Sequence, residues 1–431
     1  MKNKIIIVGG LVDFQKSGNQ SIKQTVKGFL EEYDVCFLSA LPKNKKGLDK
    51  EFLKNHSDLT VYRLPRFLGF FFFLFGRIYK ANRKKNKAGV KTISSELPQF
   101  EETVDYFDTV SSESMKKYRF FQLIYVLFES IRLIVLCSLR RPLFLYGVET
   151  YGGLAASVVG RLLGIQVIKR FQGTPLVVTN QGIHNQESLY SFISVYKKNK
   201  ERDLVVMAND GTKGDQVLSF LGIDISRTFF PVNGFTMENL NHVHTKSLGP
   251  GKHVVMLSKL KVWKRVDRGL RALASLLELD NDITLHIIGD GEMREQLISL
   301  ASKLNIESKV NFYGAISNKN ALELLASCDL FWSFYDITNL GNPILEAAYF
   351  ERPIQTLYES SMAKLVPKEC MYSLDDFDTI VSDAFMILND DKKRLCHIES
   401  SKNLKSKIIT WPERMSEEIQ WIKSKIVIKE I

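Results

Sequence analysis

Cysteine is scarce and scattered in this chain of 431 residues. There are five, Cys36, Cys137, Cys328, Cys370 and Cys396, and no two of them stand in CxxC or any other metal-ligand spacing. That excludes a disulfide framework and a zinc site and fits a reducing cytoplasm. Histidine offers one close pair, His242 and His244, with no third ligand nearby. No GxGxxG follows the first apolar run, where Gly9-Gly10 leads into Leu-Val-Asp, and no GxxxxGK[ST] occurs anywhere. A nicotinamide dehydrogenase and a P-loop NTPase are therefore excluded. The densest apolar run, between Pro65 and Arg77, is far short of the ~20 residues that span a bilayer. Internal repeats and low-complexity tracts are absent. The opening Met1-Lys-Asn-Lys runs straight into Ile5-Ile-Ile-Val-Gly9, too short for a secretory h-region, so the chain is expected to stay in the cytoplasm.

Charge is unevenly spread. Residues 1–250 hold 35 Lys/Arg against 22 Asp/Glu, a balance of +13, whereas residues 251–431 hold 24 against 26, a balance of −2. The basic field belongs to the first half and attracts nucleic acid, an anionic membrane or a phosphorylated substrate. No nucleic-acid recognition module accompanies it, so nucleic acid is set aside.

The length suggests two domains. Strand-then-helix alternation runs through most of the chain, and it restarts after a polar stretch closed by Gly249-Pro-Gly251. The expected organisation is an acceptor- and membrane-facing domain over 1–240, a linker at 241–252, a second α/β domain over 253–408 and a C-terminal helix over 409–431. Two consecutive α/β series imply two doubly wound sheets with a cleft between them.

The most informative segment is Asp336-Ile-Thr-Asn-Leu-Gly-Asn-Pro-Ile-Leu-Glu346. It follows the apolar run Leu330–Tyr335, read as a buried strand, and passes through Gly341, Asn342 and Pro343 into a helix. Such a strand–loop–helix aims backbone N–H groups and a helix dipole at one spot, which suits a phosphate. Glu346, expected in the first helical turn, adds a carboxylate for a diol. Together they suit a nucleotide sugar.

Further segments stand in order around it: Ser258-Lys-Leu-Lys-Val-Trp-Lys264-Arg-Val-Asp267, Ile287-Ile-Gly-Asp-Gly291, Val310-Asn-Phe-Tyr-Gly314-Ala-Ile316, Arg170-Phe-Gln-Gly173-Thr and Val232-Asn-Gly234-Phe. With the Asp336 segment they resemble the pattern of glycosyltransferase family 4 on the GT-B fold. The likeness is close to full length, though diffuse from about residue 42 to 140. The resemblance implies an α/β fold of two Rossmann-like domains facing a cleft, with the C-terminal helix returning to the first. It also implies a retaining, metal-independent hexosyltransferase with no cofactor beyond its nucleotide-sugar donor.

By the same resemblance, Lys259 and Lys264 neutralise the donor diphosphate and Glu346 holds the donor. Gly289, Gly291, Ile316, Thr338, Asn339, Leu340, Gly341 and Asn342 surround the donor, while Gly18, Asn19 and Gln172 lie on the acceptor side. Three positions depart from the family. Thr338 replaces the first Glu of Glu-x7-Glu, leaving Asn339 and Asn342 to offer neutral hydrogen bonds. Lys259 replaces an Arg, exchanging a bidentate fork for a point charge. Gln172 stands where many members have His, so the sequence displays no base. Two Asp-x-Asp triplets, Asp280-Asn-Asp282 and Asp376-Phe-Asp378, read as a turn and a helix cap rather than metal sites.

The aromatic block Phe67–Phe75, followed by Arg77, Lys80, Arg83, Lys84, Lys85 and Lys87, suits a lipid interface, with a packed core helix as the alternative. A second apolar stretch, Phe120–Leu139, reads as a helix feeding the strand at Leu143. The expected partners are a nucleotide sugar, a lipid-linked glycan acceptor such as a polyprenyl diphosphate and an anionic membrane surface, at the inner face of the cell membrane. The expected setting is bacterial polysaccharide or O-antigen assembly. Two alternatives remain, a GT-B-like nucleotide-sugar epimerase and a degenerate, non-catalytic transferase subunit.

Overall fold

A computed structural model of the chain describes residues 2–10, 20–42, 50–64, 112–174, 177–179, 182–184, 195–237, 240–336 and 339–426. The first series contains β1 (Lys4–Gly10), α1 (Gln20–Glu32), β2 (Asp34–Pro42), α2 (Lys50–Asn55), β3 (Thr60–Leu64) and α3 (Ser112–Arg140). It continues with β4 (Phe144–Val148), α4 (Glu149–Leu163), β5 (Gln166–Phe171), the strands β6 (Val177–Thr179) and β7 (Gly182–His184), β8 (Leu204–Met207), α5 (Gly214–Phe220) and β9 (Thr228–Phe229). The second series contains β10 (Lys252–Leu257), α6 (Val266–Leu279), β11 (Ile283–Ile288), α7 (Arg294–Lys303), β12 (Val310–Gly314), α8 (Asn318–Ala326) and β13 (Leu330–Ser333). It ends with α9 (Asn342–Tyr349), β14 (Ile354–Leu357), β15 (Met371–Tyr372), α10 (Phe377–Asn389), α11 (Asp391–Ser406) and α12 (Trp411–Lys425).

All strands but β6 and β7 form two parallel sheets, in the orders β3-β2-β1-β4-β5-β8-β9 and β12-β11-β10-β13-β14-β15, while β6 and β7 pair antiparallel with each other. Parallel strands with helices on both faces must be apolar throughout, and β1, β4, β8 and β13 are buried almost end to end. The strand order reverses between β1 and β4 in one sheet and between β10 and β13 in the other. In open α/β sheets, the crevice beyond the carboxyl ends of strands at such a reversal is where ligands bind.

The fold matches the expected two Rossmann-like bodies, with one shift in their junction. Phe235 N–H donates to the Ile409 carbonyl at 2.9 Å, so outgoing and returning chain segments cross side by side. Phe235 and Leu240 are already buried in the second body's core. The outgoing crossing therefore lies upstream of 241–252, because these apolar side chains dock on the second sheet's helices. The C-terminal helix does return. In α12, Trp411, Met415, Ile419 and Ile422 join the first body's core beside Ile5, Phe29 and Tyr146. Thr410 and Glu413 close a reciprocal capping box at its start.

Helix α3 buries Leu133, Leu136 and Cys137 against the first sheet. Its opposite face leaves Leu127 60%, Ile131 55%, Val135 56% and Leu139 72% exposed, one residue per helical turn. That stripe is apolar, and none of the described residues covers it. No helix among the described residues is long and apolar enough to cross a membrane.

Candidate functional site

The two loops that leave β10 and β13 flank the reversal in the second sheet, and they carry the residues singled out by sequence. After β10 the chain turns sharply beneath the Gly289–Gly291 turn. Gly289 adopts φ +132°, and a Cβ there would lie 1.8 Å from the Ser258 carbonyl oxygen; one on Gly291 would lie 2.3 Å from that of Leu260. Both positions demand glycine, since any side chain would push the Ser258–Leu260 segment away. Leu260 N–H donates to the Asp290 carbonyl at 3.0 Å and pins the two loops together.

Beyond Leu260, a single 3₁₀ turn over Val262–Lys264 is stopped by Arg265 in the left-handed region, and α6 begins. The Arg265 guanidinium pairs with Asp267 at 2.9 Å and reaches Asp336 at 3.6 Å. Arg268 pairs with Asp336 at 2.6 Å and donates to the Phe334 carbonyl at 2.8 Å. Asp336 is therefore a strut that ties the β13 loop to the β10 loop. Held this way, Lys264 Nζ lies 3.9 Å from the centroid of the Tyr335 ring. Burial lowers the Lys264 pKa to about 8; Asp210 opposes that shift and Lys259 reinforces it. Lys259 itself is exposed at the mouth.

In the β13 loop the buried Asn339 side chain bonds the Tyr335 backbone in both directions, accepting from its N–H at 3.1 Å and donating to its carbonyl at 2.8 Å. The amide closes the loop, so the Asn339 side chain is not left for a ligand. Leu340 is buried, and Ile316 packs into the same cluster beside Ile344. Asn342 is exposed. Thr338 lies outside the described residues, as do Gly18, Asn19 and Phe67–Phe75.

Helix α9 starts at Asn342 with Gly341 as its N-cap, and no side chain caps it. The sequence reading put Glu346 in the first turn. It is the fifth helical residue, because the helix begins at Asn342 with Pro343 in its second position, where the missing N–H costs nothing. Glu346 is half-buried, and burial pushes its pKa up to about 7. Both Asp-x-Asp triplets are engaged in structure. Asp280 accepts from the Asp282 N–H and pairs with Lys252, while Asp376 caps α10 through the Thr379 N–H.

The first body faces these loops with the ends of β4, β5 and β8. Gln172 lies beside the start of α1, its amide donating to the Ser21 hydroxyl. Two carboxylates that no linear motif marks lie next to it. Glu149, in the left-handed region at φ +54°, accepts from the Gln172 N–H at 2.9 Å. Asp210, from the loop after β8, accepts from the Thr212 hydroxyl at 2.7 Å and lies directly over Gly173, where a Cβ would sit 2.5 Å from its Oδ1. Burial is the largest cause of both shifts, raising the Glu149 pKa to about 7 and the Asp210 pKa to about 6. The same loop meets the second body: Asn209 donates to the Ser361 carbonyl at 3.1 Å, and a Cβ on Gly211 would lie 2.8 Å from the Asn339 amide nitrogen.

The cleft thus sets two lysines, a helix N-terminus and Glu346 opposite Asp210, Glu149 and Gln172. Residues 241–365 match the protein family described as glycosyl transferases group 1. The chain carries a glycosyltransferase domain. Its full-length fold is that of GT-B glycosyltransferases. It superposes on the structure of Anabaena HepE in complex with UDP with a TM-score of 0.65 at 13% identity, covering 98% of this chain and 100% of that one. On the lipopolysaccharide outer core galactosyltransferase WaaB the TM-score is 0.61 at 12% identity, covering 98% and 99%. Over 205 residues this chain is 23% identical to a Campylobacter jejuni protein named N-acetylgalactosamine-N,N'-diacetylbacillosaminyl-diphospho-undecaprenol 4-alpha-N-acetylgalactosaminyltransferase. That match takes in 46% of this chain and 54% of the Campylobacter protein, so the chain spans about half the length of this relative.

Proposed function

We propose that this chain moves a sugar, with retention of configuration, from a nucleotide sugar to a lipid-linked glycan acceptor at a membrane surface. The observation that carries the proposal is that Lys264, with Lys259 beside it, packs 3.9 Å from the ring of Tyr335 in the loop that leads to the uncapped α9 N-terminus. A departing nucleoside diphosphate gains negative charge, and a site without a metal must answer it with cations and backbone dipoles already in place. Lys264 supplies a half-buried charge, where electrostatics count for more than in bulk water. Glu346 is placed to accept hydrogen bonds from a sugar or ribose diol. The HepE structure was solved with UDP, and the Campylobacter relative is named for an acceptor on diphospho-undecaprenol; both favour this substrate pair.

Membrane contact is part of the proposal. A polyprenyl-linked acceptor stays in the bilayer, so the cleft must come to it. The exposed stripe Leu127, Ile131, Val135 and Leu139 on the first body, which also carries the +13 balance, suits an anionic lipid surface. A role in bacterial surface polysaccharide assembly follows from such an acceptor.

The carboxylates Asp210 and Glu149 favour a second reading, a nucleotide-sugar epimerase, which needs acid and base groups in the cleft. The two are separated by product. Purified protein is offered a panel of UDP- and GDP-sugars with undecaprenyl diphosphate-linked glycans, and products are weighed by mass spectrometry. Acceptor heavier by one sugar supports transfer; an isomerised donor with untouched acceptor supports the epimerase. No turnover of any kind contradicts both and points to a non-catalytic subunit.

A further inference from the structure

The cleft wall of the first body holds an acid/base group that its sequence pattern does not advertise. Gln172 occupies the position at which an imidazole would be sought, and its amide carries no exchangeable base. Next to it the chain takes two unusual steps. Gly173 adopts φ +133° with no side chain, and the Asp210 carboxyl group fills the space a Cβ would need, 2.5 to 2.7 Å from that position. Thr212 then fixes the carboxyl from the other side, its hydroxyl donating to Oδ1 at 2.7 Å while accepting from the Thr174 N–H at 3.0 Å. Asp210 is thus held by both of its neighbouring loops at the carboxyl end of β8. Across the cleft its charge is felt by Lys264, the cation assigned above to the leaving diphosphate. A carboxylate so placed lies between the Gln172–Thr174 turn and Lys264.

We propose that Asp210 is a catalytic residue of the transfer, the base that takes the proton from the acceptor hydroxyl. The proposal rests on the transferase reading of the cleft. The acceptor oxygen bonds to the anomeric carbon, the bond from that carbon to the diphosphate oxygen breaks, and its electron pair leaves with the nucleoside diphosphate. The acceptor proton passes to the Asp210 carboxylate instead of to the departing phosphate. Retention depends on the face of attack and is unaffected by where the proton goes.

The neighbours favour a base that works near neutrality. Burial raises the Asp210 pKa to about 6, Thr212 and Lys264 pulling the other way. The ionisable groups facing it are Glu149 from the start of α4, Tyr196, and Lys264 from the 3₁₀ turn. Glu149 spends its carboxylate on the Gln172 N–H, which makes it a positioning residue for the acceptor-side turn.

The test compares wild type, Asp210→Asn and Asp210→Ala, following UDP release from UDP-glucose, UDP-galactose and UDP-N-acetylgalactosamine with water and methanol as acceptors. Asparagine keeps the shape and the acceptor for the Thr212 hydroxyl. General-base removal is expected to lower kcat by about 10²- to 10⁴-fold, with UDP affinity in calorimetry within about threefold, the same melting temperature and no acid limb in the kcat profile. Formate, a small carboxylate, is expected to restore turnover to Asp210→Ala. A wild type that releases UDP beside an Asp210→Asn variant of equal kcat overturns the role of Asp210 and leaves the transferase reading standing. Loss of UDP affinity in step with kcat, with no rescue by formate, also overturns it and makes Asp210 a partner of Lys264. A wild type that releases no nucleoside diphosphate from any UDP- or GDP-sugar, with lipid-linked acceptors also offered, overturns both readings.

Discussion

Replacing Lys264 probes the site at its most constrained point. The ammonium is packed 3.9 Å from the Tyr335 ring centroid, on a turn held by Arg265, Arg268 and Asp336, so it cannot swing away and be replaced by solvent at no cost. If it faces the leaving diphosphate, Lys264→Ala removes one preorganised donor, which is worth about 2.7–4 kcal/mol of barrier, or roughly 10²–10³ in kcat. Affinity for UDP should fall less than kcat, because the charge to be met grows as the bond breaks. The pH profile gives a second reading. With a pKa of about 8 in the ligand-free protein, Lys264 is about nine-tenths charged near pH 7 and only about one-tenth charged near pH 9, so wild-type kcat/KM, which reports the free enzyme, should fall roughly tenfold over that interval. Lys264→Arg keeps its charge throughout and should flatten this basic limb even if its turnover is lower. UDP release over a range of UDP-sugar concentrations, measured from about pH 5 to pH 10, gives both results. A Lys264→Ala variant within about twofold of wild type at pH 7 would refute the assignment, since an electrostatic stabiliser is worth far more.

Glu346→Ala should weaken UDP-sugar binding by roughly 10- to 100-fold, the loss of one charge-assisted hydrogen bond; unchanged affinity in calorimetry would remove Glu346 from the donor site. Because burial raises its pKa to about 7, donor affinity should also decline as pH drops below that value, where the carboxylate takes up a proton. EDTA should leave turnover unaffected, since Asp280 and Asp376 are occupied by Lys252 and by the α10 N-terminus; a requirement for Mn²⁺ or Mg²⁺ would contradict this. Serine at Leu127, Ile131 and Val135 together should abolish flotation with anionic liposomes without lowering the melting temperature, since all three side chains already face solvent. If that variant still floats, the membrane contact lies elsewhere on the first body.

The second body was legible in the sequence almost element by element. In α6, Val266, Leu270, Leu273 and Leu276 recur at helical spacing beside a polar face, the pattern that marks a helix in a sequence. Elements with weak periodicity escaped notice. Strand β3 lies at a sheet edge, where alternation is relaxed, and α11 buries only His397, Ser400, Ser401 and Leu404, so no apolar stripe marks it. Glycines and lysines of the donor side follow a linear pattern and could be read in one dimension. Glu149 and Asp210 could not, because they are 61 positions apart (149 to 210) and meet only through the Gln172–Thr174 turn. The one available signal was the position of each at the end of an apolar strand run, where α/β sheets carry their chemistry. Asn339 misled in the other direction. Its amide looked free for a sugar, yet the loop spends it on Tyr335.

The central claim is that a nucleoside diphosphate sits in the crevice between the β10 and β13 loops. A crystal structure of the protein grown with UDP tests it most directly. The account predicts the diphosphate at the Gly341 end of α9, within hydrogen-bond reach of Lys264 and Lys259, and the ribose hydroxyls on Glu346. UDP bound elsewhere, or a crevice left empty at saturating UDP, would contradict it.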